Sequence, residues 1–415
     1  MKKAKEKKTP KQRFRKFLKI FLIIVLVIAI LCSIATVVTV IGTKSNANFI
    51  STLSSVEYSE QLVPETDENG YVTFTTDRDF KVLQLTDVHI GGGFMSTNKD
   101  SMAINAVAAM VTAEKPDLVI VTGDIAYPVP FQAGTFNNKT GAKLFAQLME
   151  QLGVYWCFAF GNHDTEAYSY YSREDMSDFY TGGDYSHCLF SAGPADADGF
   201  GNYIINVKNT KGEITQSLVM FDSHSYVDGD IFGALWKYDS IHENQIEWYK
   251  NEMNHLQQMN NGKMPKSLAF FHIPAQEYRD AWYEYRDNGF NDTDNVKYIY
   301  GKAGEKNLVV YTGEHNYGFF DAVKEVGSTQ GIFCGHDHLN NFSIDYQGVR
   351  LTYGYSVDYL AYQGIMKYGL QRGCTVIMVK PDGTFDCTGE NYYQDKYQSA
   401  KEKEQVTMED YNSED

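Results

Sequence analysis

Five apolar runs, each followed at once by a residue type that binds metal ions, constrain the fold of this chain more than any other feature. The runs are short and rich in branched and aromatic residues, which is typical of buried strands. They are residues 81–86 before Asp87 and His89, 117–122 before Asp124, 154–160 before Asn162, His163 and Asp164, 267–271 before His272, and 331–334 before His336 and His338. Ligand-type residues that follow five strands predict one shared site at the edge of a sheet.

The elements between the first three runs predict that the ends of these runs converge. Helical periodicity covers residues 100–114 and residues 142–152. Strand, helix, strand, helix, strand with connections of this length implies parallel neighbours joined by right-handed crossovers. Because the carboxyl ends of parallel neighbours lie on one side of the sheet, Asp87, Asp124 and Asn162 should meet there.

The beginning of the chain does not resemble part of a globular core. Residues 20–42 carry no charge and are apolar all round, and as a helix they would be roughly 34 Å long, enough to cross a bilayer. Ten basic residues within 1–19, against Lys44 on the other side, predict a single-pass protein of the cell membrane with a cytoplasmic amino-terminal tail. The run exceeds the roughly 7 to 15 residues of a signal core, which favours an uncleaved anchor, although residues 45–47 have the small-residue spacing of a signal-peptidase site.

The charge of the chain excludes some partners. The whole chain has a net charge of −16; residues 1–19 contain ten basic residues and one acidic residue, so the remainder carries −25. An outer domain this acidic should repel nucleic acid, and the same charge argues against a nuclease, which needs basic surface along a strand. The six cysteines show no spacing typical of a disulfide framework, so we predict no disulfide.

The remaining segments predict one large domain with extensions. We expect a stalk or linker at residues 43–77, a folded domain at 78–390 and an acidic, disordered tail at 391–415. Residues 165–200, which show no periodicity, and the polar residues 278–316 look like insertions, and the first could line or cover a pocket.

The chemistry of the candidate residues indicates a centre of two metal ions. Carboxylate, amide and imidazole ligands suit ions such as Mn, Fe or Zn, and no thiolate is involved. One octahedral ion does not need this many ligands, whereas two ions that share a bridging carboxylate would use them all. Such a centre lowers the pKa of a bound water, supplies hydroxide near neutral pH and binds the non-reacting oxygens of a phosphoryl group.

These motifs, in this order, resemble those of the calcineurin-like metallophosphoesterase superfamily over residues 78–390. They are Asp87-x-His89, Gly123-Asp124, Gly161-Asn162-His163-Asp164, His272 and Gly335-His336-x-His338. With residues 199–203 and 318–320 included, the pattern is most similar to the small purple-acid-phosphatase-like branch. The resemblance implies an α/β (α+β) fold, a four-layer sandwich of two mixed β-sheets flanked by helices.

The resemblance also implies a role for each candidate residue. One ion would be bound by Asp87, His89 and His338, the other by Asn162, His272 and His336, and Asp124 would bridge them. His163 would lie beside the phosphoryl group, where it stabilises developing charge or protonates the leaving oxygen. Asp164 could orient His163.

Tyr127 is a candidate additional metal ligand. Purple acid phosphatases proper have a tyrosine ligand at this place and lack a histidine at the place of His89, so either residue would complete the first site. Tyrosine is abundant in this chain, with thirty residues, and common at half-buried positions, which favours a packing or pocket role for Tyr127.

The sequence therefore predicts a membrane-anchored, extracytoplasmic phosphoesterase that hydrolyses phosphate monoesters through a metal-bound hydroxide. A phosphodiesterase of the same fold is the first alternative, and a catalytically idle phosphate-binding module is the second. The expected partners are a small phosphorylated substrate and the membrane, with no nucleic acid. The substrate, the metals and the oligomeric state stay open.

Overall fold

The computed structural model describes residues 9–231, 233–362, 365 and 372–404. The helices are α1 (Pro10–Ser51), α2 (Thr97–Glu114), α3 (Asn138–Leu152), α4 (Arg173–Thr181), α5 (Glu243–Met259), α6 (Gln276–Asp287) and α7 (Phe319–Val326). The strands are β1 (Glu65–Thr66), β2 (Val72–Thr75), β3 (Phe80–Leu85), β4 (Leu118–Thr122), β5 (Trp156–Ala159), β6 (Tyr203–Lys208), β7 (Ile214–Met220), β8 (Lys266–Phe270), β9 (Val296–Tyr300), β10 (Thr329–Cys334), β11 (Ser343–Tyr346), β12 (Val349–Tyr353), β13 (Gly373–Val379) and β14 (Phe385–Asn391).

A five-stranded mixed sheet contains the first three apolar runs as parallel neighbours. Its order is β14-β13-β3-β4-β5, with β3 parallel to β4 and β4 parallel to β5. The register pairs Leu85 with Val121 and Val121 with Phe158. The three carboxyl ends are therefore level, as the strand–helix–strand order predicted, and the connecting helices are confirmed as α2 and α3.

A nine-stranded mixed sheet contains the other two runs. Its order is β1-β2-β6-β7-β8-β10-β12-β11-β9, and β7, β8, β10 and β12 are parallel neighbours at its centre. Because Phe333 of β10 pairs with Phe270 of β8, the residues that follow these two strands leave the sheet side by side.

Alternating side chains of β8 show how the layers are built. Leu268 and Phe270 belong to the core that contains β3, β4 and β5 with α2 and α3, whereas Ala269 and Phe271 belong to a second core with α5, α6 and α7. Successive residues of a strand face opposite sides of its sheet. The nine-stranded sheet thus packs on the five-stranded sheet by one face and on helices by the other, which confirms the predicted sandwich of two mixed sheets flanked by helices.

Helix α1 is long and apolar enough to cross a membrane, and none of its most apolar stretch is buried against the protein. It continues past the predicted span, and its last turns pack on the domain, where Gly42, Asn46 and Ile50 are buried. Strand β2 pairs with β6 in the nine-stranded sheet. Residues 43–77, predicted as a linker, therefore contribute a helix end and a strand to the folded unit.

Two other predictions need correction. Residues 278–316, predicted as a polar insertion, are part of the layers of the fold, because they include most of α6, which packs through Trp282, and the edge strand β9. The disordered tail is wrong for residues 391–404, because Tyr392 and Tyr397 are fully buried in the core beside α2. The rest of that tail, 405–415, lies outside the described residues, as do residues 1–8 of the basic segment.

Candidate metal centre

Four of the seven predicted ligand residues have backbone conformations that residues other than glycine rarely adopt. The φ angles are 50° at Asp87, 52° at His89, 55° at Asp124 and 78° at His336. Each such residue costs on the order of 1–3 kcal/mol and persists only where its surroundings hold it, most often at functional sites. The chain turns sharply just past β3, β4 and β10, which keeps these residues at the sheet edge.

Glycines allow the strand ends to approach one another. Gly123 has φ 87°, and a Cβ there would lie 2.4 Å from Nδ1 of His272. A Cβ at Gly335 would lie 1.8 Å from Oγ1 of Thr86. A side chain at either position would separate the two sheets where the site forms, so the glycine before Asp124 and the glycine before His336 are needed for close approach.

The first ligand group is formed by Asp87, His89 and His338, whose ligand atoms all lie within 4.8 Å of one another. Nε2 of His338 is 3.5 Å from Oδ1 of Asp87. Nε2 of His89 is 3.2 Å from Oδ2 of Asp124. These atoms enclose a volume suited to one cation, with the Asp124 carboxylate at its border.

Asp358, which the sequence analysis missed, holds both histidines of this group. Its carboxylate oxygens lie 3.2 Å from Nδ1 of His89 and 3.3 Å from Nδ1 of His338. Backbone N–H groups of residues 360–362 donate to the same carboxylate. A carboxylate on the far nitrogen fixes an imidazole and leaves Nε2 for a metal. Asp358 lies five residues past the end of β12, so the pattern of a ligand directly after a strand does not indicate it.

The second ligand group is formed by Asn162, His272 and His336 around Oδ2 of Asp124. Oδ1 of Asn162 is 3.1 Å from Nε2 of His272 and 3.1 Å from Nδ1 of His336, and Nε2 of His272 is 3.2 Å from Oδ2 of Asp124. His272 donates from Nδ1 to the Thr122 carbonyl at 2.8 Å. A carbonyl only accepts, so Nδ1 of His272 carries a proton and Nε2 is the nitrogen available to a metal.

Tyr226, which sequence reasoning also missed, fixes the amide of Asn162. Nδ2 of Asn162 donates to the tyrosine hydroxyl at 3.0 Å, so the amide oxygen faces His272 and His336. The hydroxyl in turn donates to Oε1 of Glu166 at 3.1 Å. Nothing in the sequence around Tyr226 distinguishes it from the many other tyrosines.

The arrangement of unpaired and charged atoms fits a metal centre. Asp87 is fully buried, and its Oδ1 has no hydrogen-bond partner, which is costly unless a cation lies there. In the part of the chain that the structure describes, the ion-pair partners of Asp87, Asp124 and Asp358 are all histidines. Oxygen and imidazole donors at these spacings suit divalent ions.

Ion pairs between carboxylates and histidines in the site link the binding of a cation to the release of protons. Burial disfavours the Asp124 carboxylate, but His272 and His163 outweigh burial and hold the pKa of Asp124 well below its usual range. Burial also opposes protonation of His89, yet Asp358 and Asp124 raise its pKa to about 9, and Asp124 raises that of His272 to about 9. A metal that binds these imidazoles displaces their protons.

His163 lies at the cleft beside both groups, but its orienting residue differs from the prediction. Nδ1 of His163 is 2.7 Å from Oε1 of Glu166, and its ring is 5.7 Å from that of His89. Glu166 is buried and His163 is partly exposed. Glu166 therefore orients His163, and the predicted orienting role of Asp164 is wrong.

Asp164 instead fixes the backbone around Asp124. Its carboxylate accepts from the backbone N–H groups of Asp124, Ala126 and Gly161 at 2.8–2.9 Å. Arg173 of α4 holds the same loop from outside, because it donates to the Gly161 carbonyl at 3.0 Å. Asp164 therefore holds together the turns that follow β4 and β5, because three backbone amides donate to its carboxylate.

Tyr127 lies next to the first group without turning its hydroxyl toward it. Its ring is 4.6 Å from the ring of His89, but its hydroxyl donates to Oε1 of Gln132 at 2.7 Å. Burial raises the pKa of Tyr127 far above its ordinary value, which opposes the phenolate that a metal ligand needs. The packing role is the interpretation that this contact favours.

A cleft of about 230 Å³ opens over the two groups. Its walls include Asp124, His163, His336 and His338 together with Trp236 and Tyr311. This volume admits a phosphoryl group and part of its ester substituent. The floor of the cleft is polar and its upper wall is aromatic.

The calcineurin-like phosphoesterase family model matches residues 80–340. This match covers more than half of the chain and includes all seven candidate ligands together with His163.

Three curated proteins and one solved structure illustrate the similarity. Probable inactive purple acid phosphatase 14 of Arabidopsis thaliana is 29% identical over 70% of this chain and 73% of its own length. Probable inactive purple acid phosphatase 28 of the same plant is 27% identical over the same shares. Phosphatase DCR2 of Saccharomyces cerevisiae is 28% identical over 70% of this chain and 47% of its own length. A dimetal phosphatase from Danio rerio, 13% identical, covers 77% of this chain and 98% of its own with a TM-score of 0.44.

Proposed function

We propose that this chain, which belongs to the calcineurin-like phosphoesterase family and to its purple-acid-phosphatase-like branch, is an enzyme. We infer that it hydrolyses phosphate monoesters at two metal ions. The main support is that seven ligand-type side chains lie in two adjoining groups beside one cleft, whose wall includes His163. Similarity alone does not decide activity, because two plant relatives are named as probable inactive phosphatases. The complete set of site residues favours an active enzyme over an idle binding module.

The residues divide the work between binding and proton transfer. Asp87, His89 and His338 would hold one ion and Asn162, His272 and His336 the other, with Asp124 shared between them. When bound, two such ions supply charge neutralisation for phosphoryl oxygens and an acidified water. The protein residues fix the donor atoms, and Asp358 and Tyr226 keep those atoms in place.

His163 is the residue placed to act on the substrate itself. It lies at the cleft wall, outside both ligand groups, and Glu166 fixes its Nδ1. An imidazole held in this way can donate from its other nitrogen to a phosphoryl oxygen or to the leaving oxygen.

Replacement of the shared carboxylate tests the proposed hydrolysis. In Asp124→Asn, turnover of p-nitrophenyl phosphate should fall by at least about a thousandfold, since one neutral amide cannot replace a carboxylate between two cations. Bound metal, measured by mass spectrometry, should fall with it. The exposed Asp294, which lies at the far edge beside β9, provides the matched control Asp294→Asn, which should change neither quantity.

The same assay separates the competing functions. Full activity of Asp124→Asn would refute the shared role of Asp124. No hydrolysis by the parent protein, with phosphate still bound, would support the idle module instead. Faster turnover of bis-p-nitrophenyl phosphate than of the monoester would favour the phosphodiesterase.

We also propose that α1 anchors the protein in the cell membrane, with a cytoplasmic amino terminus and an extracytoplasmic catalytic domain. Its support is the apolar stretch that packs on no other part of the described chain and the basic residues before it. Protease added outside intact cells should digest the domain. In cells that receive no protease, the domain should stay with the membrane fraction. Release of the domain into the medium would indicate a cleaved signal sequence instead.

A further inference from the structure

Large apolar side chains are exposed together on one surface near the first ligand group. We call this surface the apolar rim, and it consists of Phe94, Met95, Phe131, Phe136 and Tyr170. Phe131 is 88% exposed and Tyr170 is 67% exposed. Single exposed apolar residues need no explanation, but a contiguous group indicates a contact with a partner or a membrane.

The members of the apolar rim form one surface because the loops that carry them pack together. Met95 donates its backbone N–H to the carbonyl of Ala133 at 3.1 Å, and Gly134 lies directly against the ring of Phe94. Phe136 stacks on Tyr170 with ring centroids 6.1 Å apart.

The apolar rim borders the metal centre. The loop that carries Phe94 and Met95 begins just after His89. Gln132, next to Phe131, accepts a hydrogen bond from the hydroxyl of Tyr127 at 2.7 Å. The ring of Tyr127 in turn lies 4.6 Å from that of His89. Two side chains therefore separate the most exposed rim residue from the first ligand group.

The apolar rim also borders the point where α1 leaves the domain. Helix α2 starts at Thr97, two residues after Met95, and Nδ2 of Asn46 in α1 donates to the Thr97 carbonyl at 3.1 Å. Gly42 lies against the Thr97 side chain. Farther along, Gln151 at the end of α3 donates to the carbonyl of Leu53 at 2.7 Å.

These contacts give α1 a direction. It passes the first residue of α2 before it reaches the last turn of α3, so it runs the same way as both helices. Both helices begin at the carboxyl ends of β3 and β4, where the ligand residues lie. The apolar stretch that precedes Gly42 therefore projects from the same edge of the molecule onto which the metal cleft opens.

Two further features lie on that edge. Across the cleft, Ile231, Leu235 and Trp236 are about two-thirds exposed, and the ring of Trp236 meets that of Tyr311 at 6.2 Å. A groove of about 380 Å³ between α1 and α3 is lined by Lys44, Lys139 and Lys143. Lysines next to an apolar surface are typical of proteins that contact phospholipid headgroups, because their stems stay in apolar surroundings while the ammonium groups meet phosphate.

We propose that the apolar rim lies in the interface of the bilayer that α1 enters, so that the metal cleft takes phosphate monoesters carried by lipids. The proposed partner of the apolar rim is the lipid bilayer, because the rim lies next to the point where α1 leaves the domain. In the reaction, water adds to phosphorus and the bond from phosphorus to the lipid oxygen breaks. One proton of the water ends on that oxygen and the other stays on the released phosphate. The substrate class rests on the proposed function, whereas the membrane contact rests on the anchor.

The membrane contact is tested without any activity. The full chain carrying Phe131→Trp is placed in nanodiscs whose lipids are brominated near the headgroup end of their acyl chains. Its fluorescence should be quenched well beyond that of the parent. The control is Phe290→Trp, because Phe290 is 52% exposed and lies past the far end of α6. Equal quenching of the two variants would overturn the proposal and leave the apolar rim to a protein partner or a second copy.

The substrate class is tested with Phe131→Asp and the control Phe290→Asp, both in vesicles that contain phosphatidic acid. Phe131→Asp should lower the release of phosphate from the lipid about tenfold. This is the loss expected when one aromatic side chain is no longer buried in the membrane interface. Both variants should hydrolyse p-nitrophenyl phosphate like the parent. If the parent protein hydrolyses p-nitrophenyl phosphate but releases no phosphate from phosphatidic acid, the proposed substrate class is wrong. Failure of the parent on both substrates would instead refute the proposed function, while the quenching result still decides the membrane contact.

Discussion

Glu166 shows how a buried carboxylate prepares one histidine for proton transfer. It accepts from the Tyr226 hydroxyl and lies 2.7 Å from Nδ1 of His163. Tyr226 also holds the amide of Asn162, so one small network connects the candidate acid to the second ligand group. Loss of this carboxylate should therefore affect the reacting step more than substrate binding.

We expect Glu166→Gln to lower kcat on p-nitrophenyl phosphate about tenfold to a hundredfold, because an oriented proton donor contributes at least that factor. The KM and the metal content should stay near those of the parent. The control is Glu247→Gln, since Glu247 is exposed on α5, and it should change neither constant. An unchanged kcat, or a loss of metal that accounts for the whole effect, would contradict the orienting role.

The ligand residues could be predicted from the sequence, but the residues that hold them could not. Asp87, Asp124 and His336 each follow an apolar strand, and that local pattern is visible in one chain. The pairing of Glu166 with His163, and of Asp358 with His89, depends on loops that return from distant parts of the chain. A carboxylate two residues after Asp164 carries no mark that distinguishes it from Asp164 itself.

At the scale of elements, buried strands were predicted well and marginal segments were not. Strands β3, β4 and β5 are apolar runs buried on both faces, which is why their parallel pairing followed from the sequence. Edge strand β9 exposes three of its five residues, so no apolar pattern indicates it. The segment after β14 is polar apart from its tyrosines, yet Tyr392 and Tyr397 fill the core beside α2.

Helix α1 combines two environments that its sequence only partly separates. Its apolar stretch is exposed in the protein, whereas Asn46 is buried against α2. A small residue at Gly42 lets the two helices approach, because a Cβ there would lie 2.2 Å from Oγ1 of Thr97. Hydropathy predicts the first part alone, since the docked turns contain ordinary polar residues.

On the scale of the whole molecule, the docked end of α1 would hold the metal cleft against the bilayer in one orientation if α1 is the proposed anchor. A flexible stalk would let the domain turn and drift relative to the membrane surface. Contacts of Gly42 and Asn46 with Thr97 instead fix the domain to the helix. Orientation of this kind raises turnover of a substrate that is confined to the same surface.

A flexible insertion separates this orienting effect from catalysis. We insert about eight Gly and Ser residues, a flexible spacer, between Val40 and Ile41, which leaves the docked turns with the domain and enough apolar helix to cross the membrane. Phosphate release from phosphatidic acid in vesicles should fall about tenfold because the cleft no longer stays at the lipid surface, while turnover of p-nitrophenyl phosphate should not change. The same spacer between Thr9 and Pro10, before the membrane helix, should leave both rates intact. Equal lipid turnover by the two insertions would show that the apolar rim alone, and not the rigid helix, positions the site.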